Sequence, residues 1–283
     1  MNTAISGKRD PVVRTITRND LVESFAAGLR DFQRAPRFGL LLGTFVAVGG
    51  ILIVASLTAL KMVYLAYPIA AGFAIIAPHL ATGLYVVSRE LEHGRPAPGL
   101  GFIWRTVMNR SEVRWMGFVT LFIFIMWMYQ VRFLMAIFLG MSGADASLRE
   151  FLTMILTTSE GLTFLAIGNL VGAAISLLIF TLTVVSFPLV LDRDVDLVTA
   201  MVTSVRAVAA SPGPMIGWAA IIVVTLVISA LPMFVGLIVT LPVLGHTTWH
   251  LYRRVVVPEG EASAAGAPAA LPDLSMPSAP MRL

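Results

Sequence analysis

The chain contains no cysteine, which excludes disulfides, thiolate metal sites and a cysteine nucleophile. Charge is scarce too. Asp, Glu, Lys and Arg make up 13% of its 283 residues, against roughly 25% in an ordinary soluble domain. With 57% hydrophobic residues and a mean hydropathy of +0.86, such a chain cannot cover its surface with polar groups, so much of that surface must face lipid. The long apolar runs contain no acid near their middles, so the mid-bilayer carboxylate of a proton-coupled pump or ion carrier is missing. No phosphate loop, nucleotide fingerprint or Ser-His-Asp order stands out.

What is present is a series of oily segments. A helix needs about 20 largely apolar residues to cross roughly 30 Å of hydrocarbon. Six stretches qualify, near 38–60, 63–87, 115–139, 162–191, 214–230 and 233–251. The last two are separated only by Leu231 and Pro232 and read as a tight hairpin, because one helix over both would be nearly twice as long as a bilayer is thick. The first run begins behind a stretch containing Arg and Asp throughout, which fits a retained anchor rather than a cleaved signal. The expected fold is therefore all-α: a polytopic bundle of about six transmembrane helices.

Lys and Arg set the orientation. Lys8, Arg9, Arg14, Arg18, Arg30, Arg34 and Arg37 precede the first run, and Arg89, Arg95, Arg105, Arg110 and Arg114 lie between the second and third. Arg193 and Arg206 lie between the fourth and fifth, and Arg253, Arg254 and Arg282 follow the sixth. The other side has only Lys61 and Arg149, with Arg132 at the end of the third run. Both termini are expected in the cytoplasm. The same bias accounts for the net charge of +4 without a nucleic-acid partner, since these cations are orientation signals and partners for anionic lipid.

An internal repeat runs through the chain. Leu21, Val22, Arg30 and Pro36 recur as Leu197, Val198, Arg206 and Pro212, a constant offset of 176, and a weaker middle copy puts Arg105 where Arg30 stands. The second run of each pair carries a proline: Pro78, Pro188 and Pro242. The expected unit is a short amphipathic helix plus two spans, used three times at about 17–94, 98–192 and 194–257. Leu21, Phe25, Leu29 and Phe32, and likewise Leu197, Met201, Val205 and Val208, recur at helical spacing, as in helices that lie at the headgroup level or pack on span ends. Pro36 and Pro212 end them. Residues 1–16 and the Ala/Pro-rich stretch 258–283 are expected to be disordered tails.

The sharpest chemical feature is His246 and His250, four apart and so on one helical face. Such a pair can chelate a metal or help to hold haem. No Glu follows the first His as a zinc protease requires, and the only other histidines are His79 and His93. His246, Trp249, His250, Tyr252 and Arg253 also read as an interfacial belt. His79, after Pro78, is a further candidate ligand, with a carbonyl freed by the proline as the plainer partner. Asp192, Asp194 and Asp196 could bind a cation, or provide a helix cap. Asn169 is expected to join helices. No catalytic residue, resident metal or cofactor is expected.

The run Phe187-Pro188-Leu189-Val190-Leu191-Asp192-Arg193-Asp194-Val195-Asp196, with Thr199, Arg206 and Pro212, resembles a bacterial family of predicted integral membrane proteins of unknown function. The stretch Leu241-Pro242 through Gly245-His246-Thr248-Trp249-His250-Leu251-Tyr252-Arg253 is similar to that family's ending. Some members are labelled cytochrome c oxidase subunits, so the resemblance implies an accessory or neighbouring protein of a larger complex such as a respiratory oxidase. The leading expectation is a non-enzymatic accessory or scaffold protein of the bacterial inner membrane. The alternatives are a haem- or metal-handling respiratory accessory protein and a small-solute or lipid transporter.

Overall fold

A computed structural model of the chain describes residues 10–60, 62, 65–140 and 148–257. Among these residues the architecture is entirely helical apart from one isolated antiparallel bridge between Val13 and Val256. The helices are α1 (Arg18–Arg34), α2 (Pro36–Ala59), α3 (Ala66–Glu92), α4 (Leu100–Met108), α5 (Ser111–Phe138) and α6 (Leu148–Thr157). They continue as α7 (Ser159–Thr183), α8 (Ser186–Asp192), α9 (Leu197–Ala210), α10 (Pro212–Ala230) and α11 (Leu237–Val255).

Four of these are long and apolar enough to cross a membrane: α2, α5, the Ser159–Asp192 stretch that joins α7 to α8, and α10. Each is largely apolar on all sides, and α2, α5 and α10 leave most of that surface outside the bundle, as lipid-facing helices do. At 27 residues α3 is also long enough, at about 1.5 Å per residue. The sixth expected segment differs in kind. Leu231–Gly236 forms a turn, with Met233 (φ 52°) and Phe234 (φ 63°) in the left-handed region, so α11 starts at Leu237 and extends past Leu251 to Val255. Its C-terminal half carries polar residues and is buried almost throughout.

The sequence explains the starts and stops. Thr17 caps α1 reciprocally with Asp20, the capping-box arrangement that satisfies two free N–H groups. Asp196 caps α9 by accepting from the Thr199 N–H at 2.9 Å. Ala35 and Ser211 share nearly one backbone conformation (φ −136°, ψ 59° and φ −142°, ψ 62°), and each is followed by a proline at the first position of the next helix. α1–α2 and α9–α10 are thus joined by the same kink, as the offset of 176 predicts.

Each short helix folds back on the end of a second span: α4 on α3, α9 on α7 and α8, and α1 on α11. The main core collects these ends, with Val86, Val87, Phe187, Leu189, Leu191, Trp249, Tyr252 and Val255 all buried. Residues 10–16, expected in a disordered tail, are ordered. Arg14 N–H donates to the Val255 carbonyl at 2.9 Å, Val257 N–H to Val12 at 2.9 Å, and Ile16 N–H to Ser211 Oγ at 2.9 Å. The expected tails at 1–9 and 258–283 lie outside the described residues. The sequence reading also missed α6, an amphipathic helix whose Phe151 and Ile155 pack on Leu134, Met135 and Phe164.

Candidate functional site

The polar residues of α11 converge on the ends of three other helices. Gly28 of α1 lies directly against Thr247, where a Cβ would come within 2.5 Å of the Thr247 backbone nitrogen, so only glycine lets the two helices approach this closely. That approach brings Asp31 to α11. His250 Nε2 donates to Asp31 Oδ2 at 2.7 Å, and Ser88 Oγ of α3 lies 2.8 Å from His246 Nδ1. Ser88 and His246 are fully buried and Asp31 is only 6% exposed.

Electrostatics tie these groups together. Burial acts to raise the Asp31 carboxyl. The hydrogen bond and charge of His250, with smaller contributions from the nearby Ser88 and His246, outweigh it and hold the group below its ordinary 3.8. Nε2 of His246 is buried and has no hydrogen-bond partner among the described residues.

A second layer lies one turn further along α11. Trp249 Nε1 donates to Glu92 at 3.0 Å, and Tyr252 donates its hydroxyl to Asp192 at 2.7 Å. Arg253 bridges both acids, at 2.9 Å to Glu92 and 3.1 Å to Asp192. Arg254 reaches Asp20 at 3.0 Å and Glu23 at 2.7 Å on α1. Arg89 of α3 donates to the Leu191 carbonyl at 2.6 Å, tying the ends of α3 and α8 directly.

The sequence-predicted residues are thus redistributed. His246 and His250 share a helical face but serve different partners, one on α3 and one on α1. Among the described residues no three His, Cys, Asp or Glu side chains gather as metal ligands would. The interfacial belt is an interhelical network instead: Trp249 and Tyr252 are buried to 0% and 1% exposure. His79 sits elsewhere, nine residues or about 14 Å of helix from Ser88. Its Nδ1 is 3.4 Å from Thr120 Oγ1, and its ring meets Phe187 edge-on at 4.6 Å. Asp192 and Asp196 take separate partners, Tyr252 and Arg253 for the first and the α9 cap for the second. Asn169 gives its amide to Leu165 of its own helix at 2.7 Å. Sequence reasoning missed Asp31, Ser88 and Glu92. The legible signal was Asp31 in line with Ser24 and Gly28 on one face of α1.

A cavity of about 10 Å³ between α5 and α7, lined by Trp127, Val131, Leu134, Phe164 and Asn169 among others, is at the lower limit for one water.

Long lipid-facing helices over a buried polar network describe an integral membrane protein, and comparison with known proteins agrees. Residues 66–192 match the family of predicted integral membrane proteins DUF2189. The DUF2189 match runs from the start of α3 to the end of α8, so it includes Ser88, Glu92 and Asp192. The helix that meets these residues, α11, lies outside it, as does α1. No curated protein and no solved structure matches the chain.

Proposed function

We propose that the chain is a non-enzymatic accessory or scaffold protein of the bacterial inner membrane, with both termini cytoplasmic and three related units at about 17–94, 98–192 and 194–257. The observation that carries this reading is the use made of the polar residues on α11. Ser88, Asp31, Glu92 and Asp192 hold its imidazoles, indole, phenol and guanidinium groups to three other helix ends. Polar groups that link helices make a fixed frame, and Ser88, Asp31, His246, Trp249 and Tyr252 are buried within it. Chelation through His250 Nε2 would first require breaking its bond to Asp31. The excess of arginine beside α1, α4 and α9 supports the orientation.

The test is purification of the full chain from native membranes in mild detergent, followed by an optical spectrum, metal analysis and a native gel. The expected result is a colourless, metal-free protein that migrates within a larger complex. A Soret band, stoichiometric metal, or migration as a lone chain would overturn the proposal.

A further inference from the structure

Two of the short helices, α1 and α9, are amphipathic in the wrong sense for a cap in water, and α4 leaves part of its apolar surface uncovered. α1 buries Ser24, Gly28 and Asp31 and leaves Val22, Phe25 and Leu29 exposed at 67%, 44% and 37%. α9 buries Ala200, Thr203, Ser204 and Ala207 and leaves Val198, Val202 and Val205 exposed at 68%, 41% and 40%. α4 buries Ile103 and Val107 but turns Leu100 and Trp104 outward, at 57% and 66%. A helix lying on a protein in water buries its apolar row; one lying between protein and lipid gives that row to the lipid.

The same position next to each row carries an exposed arginine. The pairs are Leu29-Arg30, Trp104-Arg105 and Val205-Arg206, at equivalent places in the repeat. One residue further round the helix puts the arginine on the border of the apolar strip. There its methylene stem can lie along the hydrocarbon while the guanidinium reaches upward. A guanidinium fork matches phosphate oxygens. Among the described residues Arg206 pairs with Asp10, at 3.7 Å with both side chains exposed, a pairing too weak to occupy it.

We propose that α1, α4 and α9 are lipid-binding elements, with their outward rows set among the acyl chains of one leaflet and Arg30, Arg105 and Arg206 holding the phosphates of anionic phospholipids. Lipid fits better than a protein partner because the three rows lie on three different elements, each beside the start of a spanning helix (Pro36, Ser111 or Pro212). A bilayer surrounds the molecule and meets all three at once. The arginines nearby, Arg34, Arg37, Arg95 and Arg114, supply the complementary field.

The absence of native cysteine makes the test direct. Single cysteines at Val22, Leu100 and Val198, with Ala210→Cys as the reference on the polar strip, are spin-labelled. The full chain is then reconstituted in phosphatidylcholine vesicles containing phosphatidylglycerol. The first three labels should collide with oxygen and be shielded from a water-soluble nickel chelate, and the Ala210 label should show the reverse. In native mass spectrometry, R30Q, R105Q and R206Q should each retain one fewer phosphatidylglycerol than the parent chain, with retention of phosphatidylcholine unchanged. Chelate-accessible labels at Val22, Leu100 and Val198, the outcome for a water-facing or protein-binding surface, would overturn the proposal. So would equal phosphatidylglycerol retention by the triple variant.

Discussion

Asp31 and Ser88 are the residues on which the last helix depends. The depressed Asp31 carboxyl contributes stability that is present above its ordinary value of 3.8 and is lost as pH falls through its lower folded value. The isosteric change Asp31→Asn removes that contribution. Thermal unfolding in detergent should show the variant less stable at neutral pH by about 1–3 kcal/mol, the scale for a charged hydrogen bond. The gap should close once the solution is acid enough to protonate Asp31 in the folded protein. An equal gap at all pH values would mean that the carboxylate has no part in the coupling. Ser88→Ala tests the neighbouring bond. It leaves both nitrogens of the fully buried His246 without partners, which costs about 1–3 kcal/mol. Ser88→Thr, keeping the hydroxyl, should lose less; equal losses would point to side-chain size as the cause.

At the scale of the element, α1 and α2 lie along α11 through close backbone contacts, Gly28 on Thr247 and Gly43 on Ile238, where an added Cβ would meet backbone atoms at 2.5 Å in either case. Gly28→Ala should therefore push α1 off α11 and destabilise the protein by about 1–3 kcal/mol, the usual scale of overpacking. The prediction includes faster hydrogen exchange in residues 18–34 with little change in α5; uniform exchange would argue against a local origin. Four of the six expected spans were legible in the sequence to within a few residues because long apolar composition marks them directly, and Pro36 and Pro212 marked the kinks. The inward faces of α1 and α9 were not. Periodicity identifies an apolar row but not which side of the helix meets protein, and here Ser24, Gly28 and Asp31 do so. Leu148–Thr157 went unread because Arg149 and Glu150 interrupt its short apolar pattern. The site was half legible: His246 and His250 stood out by spacing, but their partners come from residues over 150 positions away in sequence.

For the whole molecule, the proposed orientation puts α1, α4 and α9 on the cytoplasmic side and the turn between α6 and α7 on the other. A membrane-impermeant thiol reagent added to intact cells should label a cysteine placed at Ser159 and spare one at Ala210 until the cells are opened. The reverse pattern would invert the topology. A closed arrangement also emerges at this scale, because the first short helix completes its packing on the last span rather than on its sequence neighbours.

That closure brings residues 12–14 and 255–257 into backbone hydrogen bonding. Order along the chain is therefore not what holds the helices together, and a circular permutant should be tolerated. Joining Asp10 to Val257 through a short linker and opening the chain between Asp192 and Leu197 would leave every spanning helix intact and crossing in its original direction. Such a permutant should insert, fold and show the same His250–Asp31 coupling.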